Sequence, residues 1–176
     1  MRYRRAEVPG ASYFFTINLA DRSWTLLADH ADVLRSVIRE VQSRHPFRID
    51  AMVVLPDHLH AIWTLPENDE DFSTRWMLIK AGFSRRLPVS EERNRSRMTK
   101  GERGIWQRRF WEHTIRDERD FARHVEYIHF NPVRHGYVRK VRDWPYSSFR
   151  RMVRLGIYPE DWGGDFEEDD CTFGEM

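Results

Sequence analysis

The sequence predicts an α+β fold in which helices pack against an antiparallel β-sheet. Three observations support this prediction. Segments with the alternation of strands and segments with helical spacing follow one another in the order β-α-β-β-α-β-α. Two of the predicted strands are joined so tightly that they are expected to pair as a hairpin. At 176 residues the chain is also long enough to bury one core without covalent cross-links.

The first half of the chain provides three strands and one helix. Residues 12–19 are rich in aromatic and β-branched side chains and follow a Pro-Gly turn signal, which predicts a strand. Apolar residues recur at helical spacing within 29–45, which predicts a helix that stops at the following proline. Residues 47–55 and 58–65 are predicted to be two strands connected through the Pro-Asp pair between them.

The second half provides two helices and one strand. The spacing of large apolar residues predicts a helix over 73–87. Residues 88–104 lack an apolar period and are predicted to be an exposed, mobile basic loop. A strand is predicted over 105–115, and a helix over 116–131 with Asp117 as its N-cap, ending before the proline that follows.

Composition indicates one cytoplasmic domain. Residues 1–160 are expected to form a single domain, and residues 161–176 an acidic, flexible tail. The chain has one cysteine, which excludes a disulfide framework and fits a reducing compartment. It has no apolar run near the roughly 18 residues that span a bilayer, and no signal peptide, so no membrane association is expected.

The net charge of +1 hides a strong segregation of charge along the chain. Basic residues dominate 75–109 and 134–154, and both segments contain tryptophans, while the last residues are acidic. Cations that meet phosphates and aromatic rings that stack on bases suit a nucleic-acid partner, although a solvated basic face would give the same pattern. The residues predicted to contact DNA phosphates are Arg2, Arg4, Arg5, Arg108 and Arg109.

The stretch VVLPDHLHAIW, residues 53–63, places His58 and His60 one residue apart within an apolar run. Because side chains alternate along a strand, both imidazoles are expected on one face, about 6.5–7 Å apart along the strand. Neutral imidazoles at that spacing can share one metal ion. The alternative is a structural pair of hydrogen-bonded histidines, since H-x-H alone is a weak motif.

The last predicted helix offers a third ligand and a reactive group. His124, Tyr127 and Asn131 recur at spacings of three and four and form a polar stripe beside the apolar one. If this stripe faces the histidine strand, Asn131 can place its amide oxygen on the ion while Tyr127 holds a phenol near it. The alternative is a tyrosine at the edge of the core and an asparagine that closes a helix.

Five ordered blocks of the chain carry a resemblance to a known family: GASYFFTINLADR, MVVLPDHLHAIWTLPENDEDFSTRW, KGERGIWQRRFWEH, HVEYIHFNPVRHGYV and DWPYSSFRRMVRLGIYPEDWGGD. In these blocks the chain resembles the REP-associated tyrosine transposases, relatives of the single-tyrosine insertion-sequence transposases in the HUH endonuclease superfamily. The acidic end beyond Asp165 lies outside the resemblance. The resemblance implies a ferredoxin-like antiparallel sheet with packed helices, in a bacterial, cytoplasmic and nucleoid-associated protein.

The resemblance also implies roles for particular residues. His58 and His60 fall on the HUH pair that binds the catalytic divalent ion, and Tyr127 falls on the nucleophilic tyrosine. Asn131 falls where this branch supplies a third ligand, whereas insertion-sequence relatives have glutamine there. The implied substrate is single-stranded DNA that contains REP palindromes, which fold into hairpins.

The expected activity is metal-dependent cleavage and rejoining of this DNA through a 5′-phosphotyrosine intermediate. Histidine, amide and water ligands suit Mg²⁺ or Mn²⁺. Two alternatives stay open: a catalytically inactive protein that binds hairpin DNA, and a zinc hydrolase in which Asp57 or Glu112 joins the histidine pair. The oligomeric state, monomer or homodimer, is not decided by the sequence.

The other histidines are expected to have lesser roles. His129 and His135 are candidates to assist the ligands from outside, although Arg134-His135-Gly136 equally suits a turn. His113, with two further histidines, is expected to be a structural or surface residue.

Overall fold

The computed structural model describes residues 8–88, 99, 101 and 103–163. Its elements follow the predicted order, with a short additional helix after the first strand and a 3₁₀ turn and a second short helix after the last predicted helix. They are β1 Ser12–Asn18, α1 Leu26–Asp29, α2 Ala31–Arg44, β2 Arg48–Val54, β3 His58–Thr64, α3 Phe72–Arg86, β4 Trp111–Thr114, α4 Glu118–Arg134, a 3₁₀ turn Val141–Asp143 and α5 Phe149–Arg154.

The four strands form one sheet in the order β2-β3-β1-β4, and every neighbouring pair is antiparallel. With helices between β1 and β2 and between β3 and β4, this is the ferredoxin-like arrangement, so the predicted fold class is confirmed. The central pairing of β1 with β3 sets Asn18 opposite His58 and Thr16 opposite His60. The register therefore places two polar residues of β1 beside the two histidines.

Each face of the sheet is covered by its own helices. Leu59, Ala61 and Trp63 of β3 lie in a core shared with α2 and α3, where Trp63 stacks on Trp76 with ring centroids 4.0 Å apart. Ile62 lies in the second core, which includes residues of α4 and α5. The predicted alternation of β3 is thus confirmed, and it puts the two histidines on the face that α4 covers.

The strand predicted over 105–115 is shorter than expected. Only Trp111–Thr114 pairs regularly with β1, while Trp106 forms an isolated bridge to Leu19. The indole N–H of Trp106 donates to the backbone oxygen of Lys80, 3.1 Å away, and the Lys80 ammonium donates to the backbone oxygen of Gln107 at 2.9 Å. These contacts with α3 draw the first part of the segment away from regular pairing.

Helix α4 begins as predicted and ends later than predicted. The side chain of Asp117 accepts a hydrogen bond from the backbone N–H of Asp120, which confirms the N-cap. The helix continues through Pro132, and the expectation that it ends before this proline is wrong. It ends at a Schellman motif instead: Gly136 has φ +73° and donates to Val133, and Tyr137 donates to the oxygen of Pro132.

Several predictions fall partly on residues outside the described ranges. Most of the basic loop 88–104 and most of the tail 161–176 are among them, so the domain boundary at residue 160 stays a prediction. Within the described part of the chain, no helix combines the length and hydropathy needed to span a membrane.

Candidate active site

The two histidines occupy the first and third positions of β3, under α4. His58 is 1% exposed and His60 is 0% exposed. Their ring centroids lie 5.0 Å apart with the ring planes at 84°. Strand alternation alone fixes this juxtaposition, because residues i and i+2 share a face. The structure therefore brings the predicted pair together in a buried position.

Each ring uses Nδ1 for a contact within the protein. Nδ1 of His58 lies 2.7 Å from Oδ1 of Asp57, and Nδ1 of His60 lies 2.9 Å from the hydroxyl oxygen of Thr16. Nε2 is then the nitrogen that each ring can offer to a cation. An imidazole held by a carboxylate or hydroxyl on one nitrogen and by a metal on the other is the usual arrangement at protein metal sites.

A charged group supports this contact behind His58. The guanidinium of Arg22 donates from Nε to Oδ2 of Asp57 and from Nη1 to the side-chain oxygen of Asn18, 3.1 Å away. Burial favours a raised pKa for Asp57, but the hydrogen bonds and charges of His58 and Arg22 prevail and lower the pKa to about 2. Asp57 is therefore a carboxylate at neutral pH.

Tyr127 lies beside the histidine pair. Its ring centroid is 5.2 Å from that of His60 and 6.0 Å from that of Phe14, both in edge-to-face geometry. The guanidinium carbon of Arg134 lies 5.5 Å from the centre of the same ring. Because Tyr127 is only 1% exposed, a substrate can reach its phenol only after the covering side chains move.

Asn131 lies between two residues that touch the histidines. Tyr127, Asn131 and His135 follow one another at intervals of four along α4 and its C-cap, so they share one stripe. Tyr127 contacts His60, and the ring of His135 is 5.3 Å from that of His58. Asn131, which is 0% exposed, therefore faces the same region of the sheet.

The donor set fits a divalent cation of intermediate hardness. Two imidazoles and one amide oxygen, with water completing the shell, would suit Mn²⁺ and would be compatible with Mg²⁺. The carboxylate of Asp57 is engaged by His58 and Arg22, so it supports His58 from behind. The residues present thus fit the kind of ion that the sequence predicted.

A second group of potential ligands lies elsewhere, between β4 and the first turns of α4. Ligand atoms of His113, Asp120 and His124 all lie within 4.8 Å of one another. Asp120 accepts from Nε2 of His113 at 2.8 Å, and Nδ1 of His124 lies 2.7 Å from the backbone oxygen of Asp120. A carbonyl only accepts, so this Nδ1 carries a proton and the group is held by hydrogen bonds.

This second group was missed by sequence reasoning, which treated His113 as structural or surface. The pKa of Asp120 would be raised by its burial, but the hydrogen bond from His113 and the other donors lower it to about 2. Burial lowers the pKa of His124. The ring of His124 stacks on that of His113, with ring centroids 4.9 Å apart. The spacing of Asp120 and His124 on α4 can be seen in the sequence. Their partner His113 lies on β4, and only the folded sheet brings it near them.

The other predicted residues are more dispersed. Arg2, Arg4 and Arg5 lie outside the described residues. Arg108 and Arg109 are exposed in the segment before β4, and Arg108 lines a groove with Lys80, Arg85 and Arg103. This groove is bounded by α3, which covers the opposite face of the sheet from the histidines.

Glu112 does not join the histidine pair. It is 5% exposed and lies opposite Phe15 in the β1–β4 ladder, whereas the neighbouring β4 position, Trp111, lies opposite Thr16. Because Phe15 belongs to the core under α2 and α3, Glu112 points to the face away from His60. The suggestion of Glu112 as a zinc ligand beside the histidines is therefore wrong.

Comparisons with known proteins identify the family of this chain. Residues 8–131 match the sequence model of the family described as "Transposase IS200 like". A REP-associated tyrosine transposase of Escherichia coli (strain K12) is 48% identical over 163 residues, which are 93% of this chain and 91% of that protein. A protein of Haemophilus influenzae (strain ATCC 51907 / DSM 11121 / KW20 / Rd) is 49% identical over 164 residues, 93% of each chain.

A solved structure is similar over the whole chain. It is described as the REP-associated tyrosine transposase bound to a REP hairpin, and it is 46% identical in sequence. The similarity covers 100% of this chain and 98% of that chain, with a TM-score of 0.86.

Proposed function

This chain belongs to the IS200-like transposase family, whose members cleave and rejoin DNA, and we propose that Tyr127 is its nucleophile and that His58, His60 and Asn131 hold its metal ion. The observation that carries the proposal is the contact of the Tyr127 ring with His60, at 5.2 Å between centroids. This contact places the buried phenol of Tyr127, on α4, beside the histidine pair of β3.

The metal supplies electrostatic stabilisation when it is bound. Members of the family use a divalent ion, and the donor set of this chain favours Mn²⁺ or Mg²⁺. Such an ion beside a phosphate neutralises charge that develops on the phosphoryl oxygens. His58 and His60 would hold it through Nε2, since both Nδ1 atoms are engaged by Asp57 and Thr16.

Tyr127 performs the covalent step. Its phenol oxygen attacks the phosphorus of the scissile phosphodiester and the bond from phosphorus to the 3′-oxygen breaks. The phenol loses its proton to solvent, and the leaving 3′-oxygen takes up a proton from solvent. The products are a 5′-phosphotyrosine and a strand that ends in a free 3′-hydroxyl. Attack by another 3′-hydroxyl reverses the step and rejoins DNA, so the phosphodiester bond energy is retained without ATP.

The substrate proposed for this chain is a single-stranded REP-type hairpin. The support is the relative of 46% identity that is described as bound to a REP hairpin, together with the basic residues of this chain. Arg108 and Arg109 are exposed and are proposed to contact phosphates, as are the N-terminal Arg2, Arg4 and Arg5. These contacts position the DNA and carry no sequence preference.

The test is the capture of a covalent adduct. Wild-type protein, Tyr127→Phe and Tyr146→Phe are incubated with Mn²⁺ and a REP-hairpin oligonucleotide with a labelled 3′ end, and denaturing gels separate free DNA from protein-linked DNA. We expect an adduct with the wild type and with Tyr146→Phe, and none with Tyr127→Phe.

Binding is measured in parallel by gel shift. Phenylalanine keeps the packing of the ring against Phe14 and His60. Hairpin affinity should therefore change less than about tenfold, the upper range for the loss of one hydrogen bond. An adduct that persists in Tyr127→Phe would place the nucleophile on another residue.

A further inference from the structure

We infer that Asp57 sets the tautomer of His58 while Arg22 fixes the orientation of the side chain at position 57, and that this pair thereby determines how tightly the two histidines hold a divalent cation. The inference rests on the proposed role of His58 and His60 as metal ligands. It adds two positioning residues from outside the histidine strand and gives each a separable effect.

The two oxygens of Asp57 are divided between two partners. Oδ1 lies 2.7 Å from Nδ1 of His58, and Oδ2 accepts from Nε of Arg22. A second contact fixes the guanidinium, because Nη1 of Arg22 donates to the side-chain oxygen of Asn18 at 3.1 Å. Asn18 lies opposite His58 on β1, so Arg22 spans both strands at the end where the histidine is held.

The contact with Asp57 decides which nitrogen of His58 carries the proton. A carboxylate only accepts, so a separation of 2.7 Å requires a proton on Nδ1. Nη2 of Arg22 also lies near Nδ1 of His58, at 3.4 Å. Because a guanidinium only donates, a hydrogen bond here would need an unprotonated Nδ1, and the lone pairs of Nδ1 and of Asp57 Oδ1 would then face each other. The short contact therefore prevails, and Nε2 presents its lone pair.

Burial makes this choice strict. Asp57 and His58 are 7% and 1% exposed, so water cannot replace either partner. Arg22 is more accessible, with 35% of its side chain exposed, yet its donors keep Oδ2 occupied. Arg22 therefore holds one side-chain oxygen of residue 57 and leaves the other for His58.

The substitution Asp57→Asn makes the tautomer of His58 depend on Arg22. The asparagine amide has one acceptor and one donor end, and Arg22, which only donates, requires the acceptor. The NH₂ end then faces His58 and donates to Nδ1, which moves the ring proton to Nε2 and blocks the metal position. If Arg22 is replaced by methionine, the amide can rotate and offer its oxygen to Nδ1–H, and the metal-binding tautomer returns.

The experiment is a double-mutant cycle on the affinity of the full chain for Mn²⁺, measured by titration calorimetry. Compared with wild type, Asp57→Asn should weaken binding by about 10–100-fold, the range seen when outer partners of metal-bound histidines are changed. Arg22→Met should weaken it much less. The double variant R22M/D57N should bind Mn²⁺ more tightly than Asp57→Asn alone. Equal or weaker binding by the double variant would overturn the inference.

Nitrogen NMR of the metal-free protein gives a second readout that general damage to the fold would not produce. The proton of His58 should reside on Nδ1 in the wild type and in R22M/D57N, and on Nε2 in Asp57→Asn. Thr16→Val, which alters the partner of His60, should leave the tautomer of His58 unchanged. An Asp57→Asn protein that keeps the proton on Nδ1 would also overturn the inference.

Failure of the proposed metal site would look different. The variant H58A/H60A separates the two cases, because Mn²⁺ affinity equal to wild type would remove the histidines from the ligand set. The tautomer of His58 would then still report whether Arg22 acts through Asp57.

Discussion

Asn131 illustrates how much of the site depends on single positions along one helix. It lies one turn after Tyr127 and one turn before His135, and these neighbours touch His60 and His58 respectively. A buried amide at this place has an oxygen that can serve a hard or intermediate cation, and it carries no charge that would need compensation. The position therefore suits a third ligand better than a helix-closing residue, since the helix ends later at Arg134.

The role of Asn131 is tested by paired substitutions. Asn131→Leu keeps the branched shape of the side chain but removes the oxygen, and we expect Mn²⁺ affinity to fall by at least about tenfold, comparable with the loss of an outer partner. Asn131→Asp keeps an oxygen at the same reach and should retain binding. Titration calorimetry measures both, with circular dichroism as a check on folding. Wild-type affinity in Asn131→Leu would mean that the third ligand comes from another residue.

At the scale of elements, the site depends on how α4 is fixed at its two ends. Its first turns are tied to β4 by Asp120, which accepts from His113, and its last turn is closed by Gly136. Tyr127 and Asn131 lie between these anchors. A shift of either end would move the phenol and the amide relative to β3, whose own position is set by pairing with β1 and β2.

Gly136 offers a direct test of the C-terminal anchor. Its φ of +73° is a conformation that L side chains disfavour, and a Cβ added there would meet nothing within 4 Å. Gly136→Ala should therefore cost about 1–2 kcal/mol of unfolding free energy through backbone strain alone. Gly163→Ala, which also meets nothing within 4 Å, is the matched control and should be near neutral. Urea unfolding of both variants measures the difference, and equal stabilities would contradict the argument.

Local patterns predicted the elements and the facing of β3, and long-range contacts decided the rest. The alternation in residues 58–65 was sufficient to place both histidines on one face. The length of β4 was not predictable, because Trp106 is drawn to α3 by partners that only the fold brings near. Arg22 carried no signal for the same reason: it lies 35 residues before Asp57, in a loop without periodicity.

At the scale of the whole molecule, α4 is also tied to the far edge of the sheet. The segment before α5 pairs with the edge strand β2, since Ser148 donates its backbone N–H to Met52 at 2.8 Å. The hydroxyl of Ser148 accepts from the backbone N–H of Met52 and lies 2.8 Å from Nε2 of His129 on α4. One buried imidazole thus joins the helix that carries Tyr127 to the segment that covers β2.

This imidazole makes the stability of the whole fold depend on pH. His129 is 0% exposed, and among the described residues its Nδ1 has no hydrogen-bond partner. Burial, and secondarily the charge of Arg151, lower its pKa from 6.5 to about 3. Between these values the unfolded chain binds a proton that the folded chain does not, so stability falls as the pH falls through this window and is unaffected by His129 above it.

The expected slope for one such proton is about 1.4 kcal/mol per pH unit. The lowered pKa of His124 acts in the same direction. Asp57 and Asp120, whose pKa values are lowered from 3.8 to about 2, stabilise the fold above 3.8 and lose that effect only below it. A range from about pH 6 to pH 4.5 therefore reports on the histidines, since the carboxylates stay ionised there in both states.

Urea unfolding across this range tests the assignment to His129. His129→Gln removes the titrating group, so its unfolding free energy should depend on pH much less steeply than that of the wild type, even if it is lower at pH 7. Ser148→Ala removes the hydroxyl partner but keeps the buried imidazole, and should be less stable with the wild-type slope. A His129→Gln curve parallel to the wild type would assign the acid sensitivity to other groups, with His124 first among them.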